Sequence, residues 1–194
     1  MTGRTTMKIR LCPWIIQDGN YPDFVVGSDV AFALEFWSYA GFGITAADDA
    51  PAAPPQDVCS GPGVVRFIDD QVWVVELDNV LAYREQKAPR GLVVGSQISG
   101  AYELAVDPFF YCEYLHARPG IPALIYRWRI HGITCETAPL IEVNRPFGQT
   151  YLVPDESKIQ RCEISETDAW GGDDRYTSYI LTCERLPHAP SRKR

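Results

Sequence analysis

Long apolar runs are missing from this chain, as are the short motifs that mark most catalytic centres. No uninterrupted apolar stretch approaches the roughly eighteen residues of a membrane span. The opening MTGRTTMKIRLCPWII has no signal-peptide core followed by a small-residue cleavage site. These absences predict a soluble, cytoplasmic protein without a membrane partner. G-x-S-x-G, H-E-x-x-H, a Walker phosphate loop and a G-x-G-x-x-G opening a helix are also absent. No catalytic residue is therefore assigned, and no cofactor is expected. Histidine is scarce: of three, His188 lies in the tail. A Cys–His pair would have to join Cys112 or Cys135 to His116 or His131, in surroundings that do nothing to activate a thiol. An enzyme built on those residues ranks behind a binding protein.

The six cysteines come singly, with no C-x-x-C, in a chain of 194 residues that can bury a core without staples. In a reducing compartment they are expected to be free thiols acting mostly as small hydrophobes. Cys162 and Cys183, flanking residues 167–174, are the two best placed to meet across a hairpin.

Acid is missing from both ends. Residues 1–10 carry Arg4, Lys8 and Arg10, and residues 185–194 carry Arg185, Arg192, Lys193 and Arg194, with no Asp or Glu in either stretch. The net charge of −7 thus understates the body between them, which has 11 basic and 25 acidic residues and a net charge of −14. Such a body repels a phosphate backbone, which argues against nucleic acid. It suits a protein partner, a basic one by preference.

What is present reads as β-structure. Fifteen glycines and fifteen prolines punctuate short runs rich in Val, Ile, Tyr, Phe and Trp, which fit a half-buried pleated surface. Strands are predicted near 8–16, 29–38, 63–69, 72–78, 80–85, 97–106, 123–131, 139–143, 158–166 and 176–185, with breakers that include Gly61-Pro62-Gly63 and Pro119-Gly120. The segment DPFFYCEYLHARPG reads as a helix of about ten residues, because Asp107 can cap it and Pro108 suits its first position. Residues 25–36, VVGSDVAFALEF, match residues 93–104, VVGSQISGAYEL, at an offset of 68. A duplication would give two units of small-barrel size. The fold class expected is all-β and mainly antiparallel, either two fused small β-barrels or one large β-sandwich. Its units would be 1–86, with an exposed loop at 46–57, and 87–186, followed by a disordered tail at 187–194.

Three features bear on function. In YRWRIH, residues 126–131, Tyr126, Trp128 and Ile130 point to one face while Arg127, Arg129 and His131 point to the other. That basic row is the candidate anion-binding site, for a small molecule or an oligonucleotide, against the plainer reading that it pairs with neighbouring acids. Trp170, in the loop TDAWGGDD, is the candidate partner-binding residue, because tryptophan is enriched at interface hot spots. Its rival reading is a side chain folded back over its own sheet. Cys112, His116, His131 and Cys135 resemble a zinc inventory by count, but an extended His131–Cys135 segment separates its ends too far, and no metal site is assigned. The acidic pairs Asp48-Asp49, Asp69-Asp70 and Asp173-Asp174 lack the spacing of a calcium loop and read as turn residues.

Overall fold

A computed structural model describes residues 6–38, 59–144, 150–171 and 175–193. The predicted loop 46–57, Asp48-Asp49 and Asp173-Asp174 lie outside the described residues. In chain order the elements are β1 (Thr6–Leu11), α1 (Pro13–Gln17), β2 (Asp29–Phe32), β3 (Leu34–Ser38), β4 (Cys59–Ile68), β5 (Trp73–Leu77), β6 (Val80–Arg84), β7 (Gln97–Val106), α2 (Phe110–Glu113), β8 (Tyr126–Asn144), β9 (Thr150–Pro154), β10 (Gln160–Ile164) and β11 (Arg175–Arg185). Single 3-10 turns occupy Leu115–Ala117 and Glu156–Lys158. The chain is all-β with two short helices. Among the described residues, no helix is long and apolar enough to cross a membrane.

Two compact units share the chain, one made of Met1–Val30 with Trp128–Arg185 and the other of Ala31–Arg127 with Leu186–Arg194. This grouping interleaves the chain, whereas the sequence expectation cut it once, between 86 and 87.

In the unit of Ala31–Arg127, β3, β7, β4, β5 and β6 pair in that order, and β6 returns to β3 by a parallel pair, Tyr83↔Glu35, closing a five-stranded barrel. Alternation fills it. Leu34, Phe36, Trp73, Val75, Leu77, Tyr102 and Leu104 are buried, and Phe36 meets Trp73 edge to face at 4.9 Å. Each large side chain buried this way contributes roughly 1.5–3 kcal/mol. Residues of the opposite parity on β5 and β6, Val74 and Tyr83, join Tyr111, Leu115, Ile121, Leu124 and Ile125 in a second apolar cluster outside the barrel. Gly61-Pro62-Gly63, expected to break the chain, runs inside β4. Gly63 is required there because a Cβ would lie 2.9 Å from Val75 Cγ1 and closer still to Leu77. Pro62 precedes Gly63↔Leu77, the first β4–β5 pair, so its missing N–H falls where β4 has only β7 as a neighbour. The ten-residue helix also fails. It shrinks to α2 and the turn after it, because Phe109 takes φ 82° and Tyr114 takes φ −143°. Within 187–194, expected to be a disordered tail, Ser191 exchanges backbone hydrogen bonds with Ile125 and Arg192 donates to the Ile121 carbonyl at 2.6 Å.

In the other unit the sheet runs β10, β8, β11, β1, and β9 pairs with β8 farther along the strand. The predicted strand 8–16 stops at Leu11, because Pro13 opens α1 and Ile15 and Ile16 turn inward from it. The strands predicted at 123–131 and 139–143 are one, β8. Its register against β11 jumps from Cys183↔Ile130 to Thr182↔Gly132, leaving His131 as the extra residue of a bulge. The bulge shifts the buried positions from Tyr126, Trp128 and Ile130 to Ile133. On the far side Glu136 is buried between Arg10, at 2.8 Å, and Arg161, at 2.6 Å.

The two matched segments adopt one local geometry. Val25–Ser28 and Val93–Ser96 are turns closed by Ser28 N to Val25 O (3.1 Å) and Ser96 N to Val93 O (2.9 Å), with Gly27 at φ 86° and Gly95 at φ 93°. Gly27 donates to Ile130 O, and Ile130 N donates to Ser28 O. In the other unit Gly95 donates to Val65 O, and Val65 N donates to Ser96 O. Within the barrel, β3 and β7 pair so that Phe36 lies opposite Leu104, its counterpart in the sequence match.

Candidate functional site

The basic row alternates as the sequence predicts. Tyr126, Trp128 and Ile130 are buried, while Arg127 and His131 are exposed and Arg129 is partly so. Two of the three bases are engaged. Arg129 forms a two-pronged ion pair with Asp29, Nη2 lying 3.1 Å from Oδ2, and His131 Nε2 lies 2.8 Å from Glu184 Oε2. Only Arg127 has a side chain with no polar partner among the described residues.

Among the described residues of its loop, Thr167, Asp168, Ala169 and Gly171 are all hydrogen-bonded around Trp170. Thr167 N donates to Phe24 O, and Phe24 N donates back to Thr167 Oγ1, both at 2.9 Å. Thr167 Oγ1 donates to Asp23 Oδ1 at 2.8 Å, and Ala169 N reaches the same oxygen at 3.3 Å. The Tyr179 hydroxyl donates to Asp168 O at 2.8 Å, Gln17 Nε2 donates to Ala169 O at 2.6 Å, and Gly171 N closes on Asp168 Oδ1 at 2.7 Å. A Cβ at position 171 would collide with the Asp168 carboxylate, which would have to move to admit any larger residue there. Ala169 is buried, yet Trp170 beside it is 70% exposed. The indole does not fold back over the sheet. Trp14 is also exposed, on α1, the helix whose Gln17 grips the same loop.

The zinc-like residues serve locally. His116 Nδ1 lies 3.1 Å from Tyr111 O, and Cys135 faces Cys162 across β8 and β10. Cys162 therefore does not pair with Cys183, which sits opposite Ile130 on β11 and is buried, its thiol pushed up to about 12 by desolvation. Among the described residues, no three His, Cys, Asp or Glu side chains are grouped to hold a metal ion. Asp69 acts as a turn residue, its Oδ1 accepting from Gln71 N at 2.8 Å and Val72 N at 2.7 Å. No protein-family model, curated protein or solved structure is significantly similar to this chain.

One polar cluster escapes the sequence reading. Beneath α2, Tyr83 donates its hydroxyl to Asp107 Oδ1 at 2.5 Å, and Tyr111 N donates to the same oxygen at 3.3 Å. Asp107 Oδ2 is buried without a hydrogen-bond partner among the described residues. Glu35, a second carboxylate, is paired with Tyr83 where β3 and β6 run parallel. A phenol has one proton, so it can serve only one carboxylate at a time. Burial, reinforced by the Asp107 charge, raises the Glu35 carboxyl to about 7, and burial raises Asp107 to about 6. At the rim the Arg84 guanidinium lies 4.0 Å over the half-exposed ring of Trp37. No sequence signal marks this cluster, since Glu35 sits in an alternating strand where parity alone sends it to solvent.

Proposed function

We propose that the protein is a non-catalytic binding domain that docks a basic protein partner through the Trp170 loop. The observation that carries this reading is the pairing of a 70%-exposed indole with a loop fixed by hydrogen bonds on both sides of it. A rigid aromatic anchor gives up little entropy when it enters a partner's pocket. Its surroundings are acidic in sequence, with Glu166, Asp168, Asp173 and Asp174 within four residues, which favours a cationic surface. An anionic ligand on Arg127, Arg129 and His131 ranks second, because it must displace Asp29 and Glu184. A Cys/His enzyme ranks third. The cytoplasmic location belongs to the same proposal.

Affinity capture from native lysate, with wild type and Trp170→Ala side by side at two salt concentrations, tests the reading. The expected result is a basic protein held by wild type, released by salt and lost with Trp170→Ala. Identical capture by both baits contradicts it.

We further propose that residues 25–36 and 93–104 are copies of one ancestral segment. Their shared turn geometry and the facing of Phe36 and Leu104 support this.

A further inference from the structure

Cys135 and Cys162 stand directly opposite each other on antiparallel strands β8 and β10. Directly opposed residues in such a pair have Cα atoms about 4.5–5.5 Å apart, inside the roughly 4.4–6.8 Å window that a disulfide requires. Their side chains point to the same face of the sheet, as those of directly opposed residues do. Both are free thiols. No other cysteine pair is brought opposite by strand register, since Cys183 faces Ile130 and Cys59 faces Tyr102. The two members differ in access: Cys162 is exposed, and Cys135 is partly buried. β10 is exposed along most of its length and has β8 as its only strand partner among the described residues.

From this geometry we propose that Cys135 and Cys162 form a reversible dithiol–disulfide couple that reacts with low-molecular-weight disulfides and, when oxidised, clasps β10 to β8. The reaction runs in two exchanges. The Cys162 thiolate attacks one sulfur of the small disulfide, forming a mixed disulfide on Cys162 and releasing one small thiolate, which takes up a proton. The Cys135 thiolate then attacks Cys162 Sγ, forming the Cys135–Cys162 bond and expelling the second small thiolate, which is protonated in turn. The two protein thiols lose two electrons and two protons, and the small disulfide gains both as two thiols. Access assigns the roles. Cys162 meets the reagent in solvent, and Cys135, whose thiol is held above its ordinary range by burial and then by the neighbouring sulfur, is the resolving partner. The clasp closes a loop over the 26 residues between them, which hold β9 and the turn Glu156–Lys158.

Oxidised glutathione is the probe, applied to the full folded chain and followed by peptide mapping under non-reducing conditions. Wild type is expected to give the Cys135–Cys162 linked peptide, with the intact mass lower by two hydrogens, and to return to the starting mass with a reducing thiol. Cys135→Ser is expected to stop at a glutathione adduct on Cys162. Cys162→Ser is expected to leave position 135 unmodified over the same time, and its exposed site ensures that the variant folds. The proposal is overturned if wild type retains an unresolved glutathione adduct, if another cysteine pair links first, or if Cys135 is modified as readily in Cys162→Ser as Cys162 is in Cys135→Ser.

Discussion

Tyr83 spends its only hydroxyl proton on Asp107, 2.5 Å away, and so leaves Glu35 without that donor. The consequence is a pH-dependent stability whose sign can be worked out. Glu35 titrates near 4.5 in the unfolded chain and about 7 in the folded one, and Asp107 moves from 3.8 to about 6. Between these values the folded chain binds more protons than the unfolded chain, so their contribution is greatest below about pH 4 and falls as pH rises towards 7. Glu35→Gln removes one titration and keeps the hydrogen-bonding shape. It should stabilise the protein by about 2–3 kcal/mol at pH 8 and by little at pH 4. Urea unfolding at both pH values checks this, and a Glu35→Gln variant with wild-type pH dependence would remove the cluster from consideration.

Gly27 and Gly95 should respond alike to substitution. At both, φ is positive and an added Cβ meets nothing within 4 Å, so Gly→Ala costs only the left-handed backbone penalty, about 1–2 kcal/mol. Chemical denaturation of the two single variants should give values equal within error. A cost several times larger at one site would mean that the two turns are not equivalent.

Position 128 and its neighbours separate core from surface. Trp128 is fully buried, and Trp128→Ala should destabilise by roughly 3–5 kcal/mol. Arg129→Gln breaks only the solvent-screened pair with Asp29 and should leave the melting temperature nearly unchanged. The reverse order in a thermal melt would contradict the register of β8.

Much of the fold was legible because it is local. Alternation in residues 126–131 gives the two faces of β8, and β6 and β7 match their predicted spans almost to the residue. The failures have non-local causes. Gly61-Pro62-Gly63 looks like a turn, and only the side chains of Val75 and Leu77 on the neighbouring strand reveal why glycine belongs in β4. The continuity of β8 past Gly132 depends on a bulge set by its register with β11. Trp170 could be picked out by its residue type, but its exposure rests on partners as distant in sequence as Gln17 and Asp23. Asp107 could be read as a cap, but its grouping with Tyr83 and Glu35 could not be found, because α2 and residues 121–125 cover the outer barrel face on which Tyr83 lies.

The account turns on Trp170, and the most direct measurement is the equilibrium affinity of the captured basic partner for wild type and for Trp170→Ala. A preorganised hot spot is worth about 2 kcal/mol or more, which weakens binding roughly thirtyfold. Because the indole is 70% exposed, the same substitution should change the stability of the free protein by no more than about 0.5 kcal/mol. Weakened binding with unchanged stability is the predicted result. Unchanged affinity for Trp170→Ala, or a loss of binding matched by a loss of stability, would contradict the claim that this loop exists to present its tryptophan.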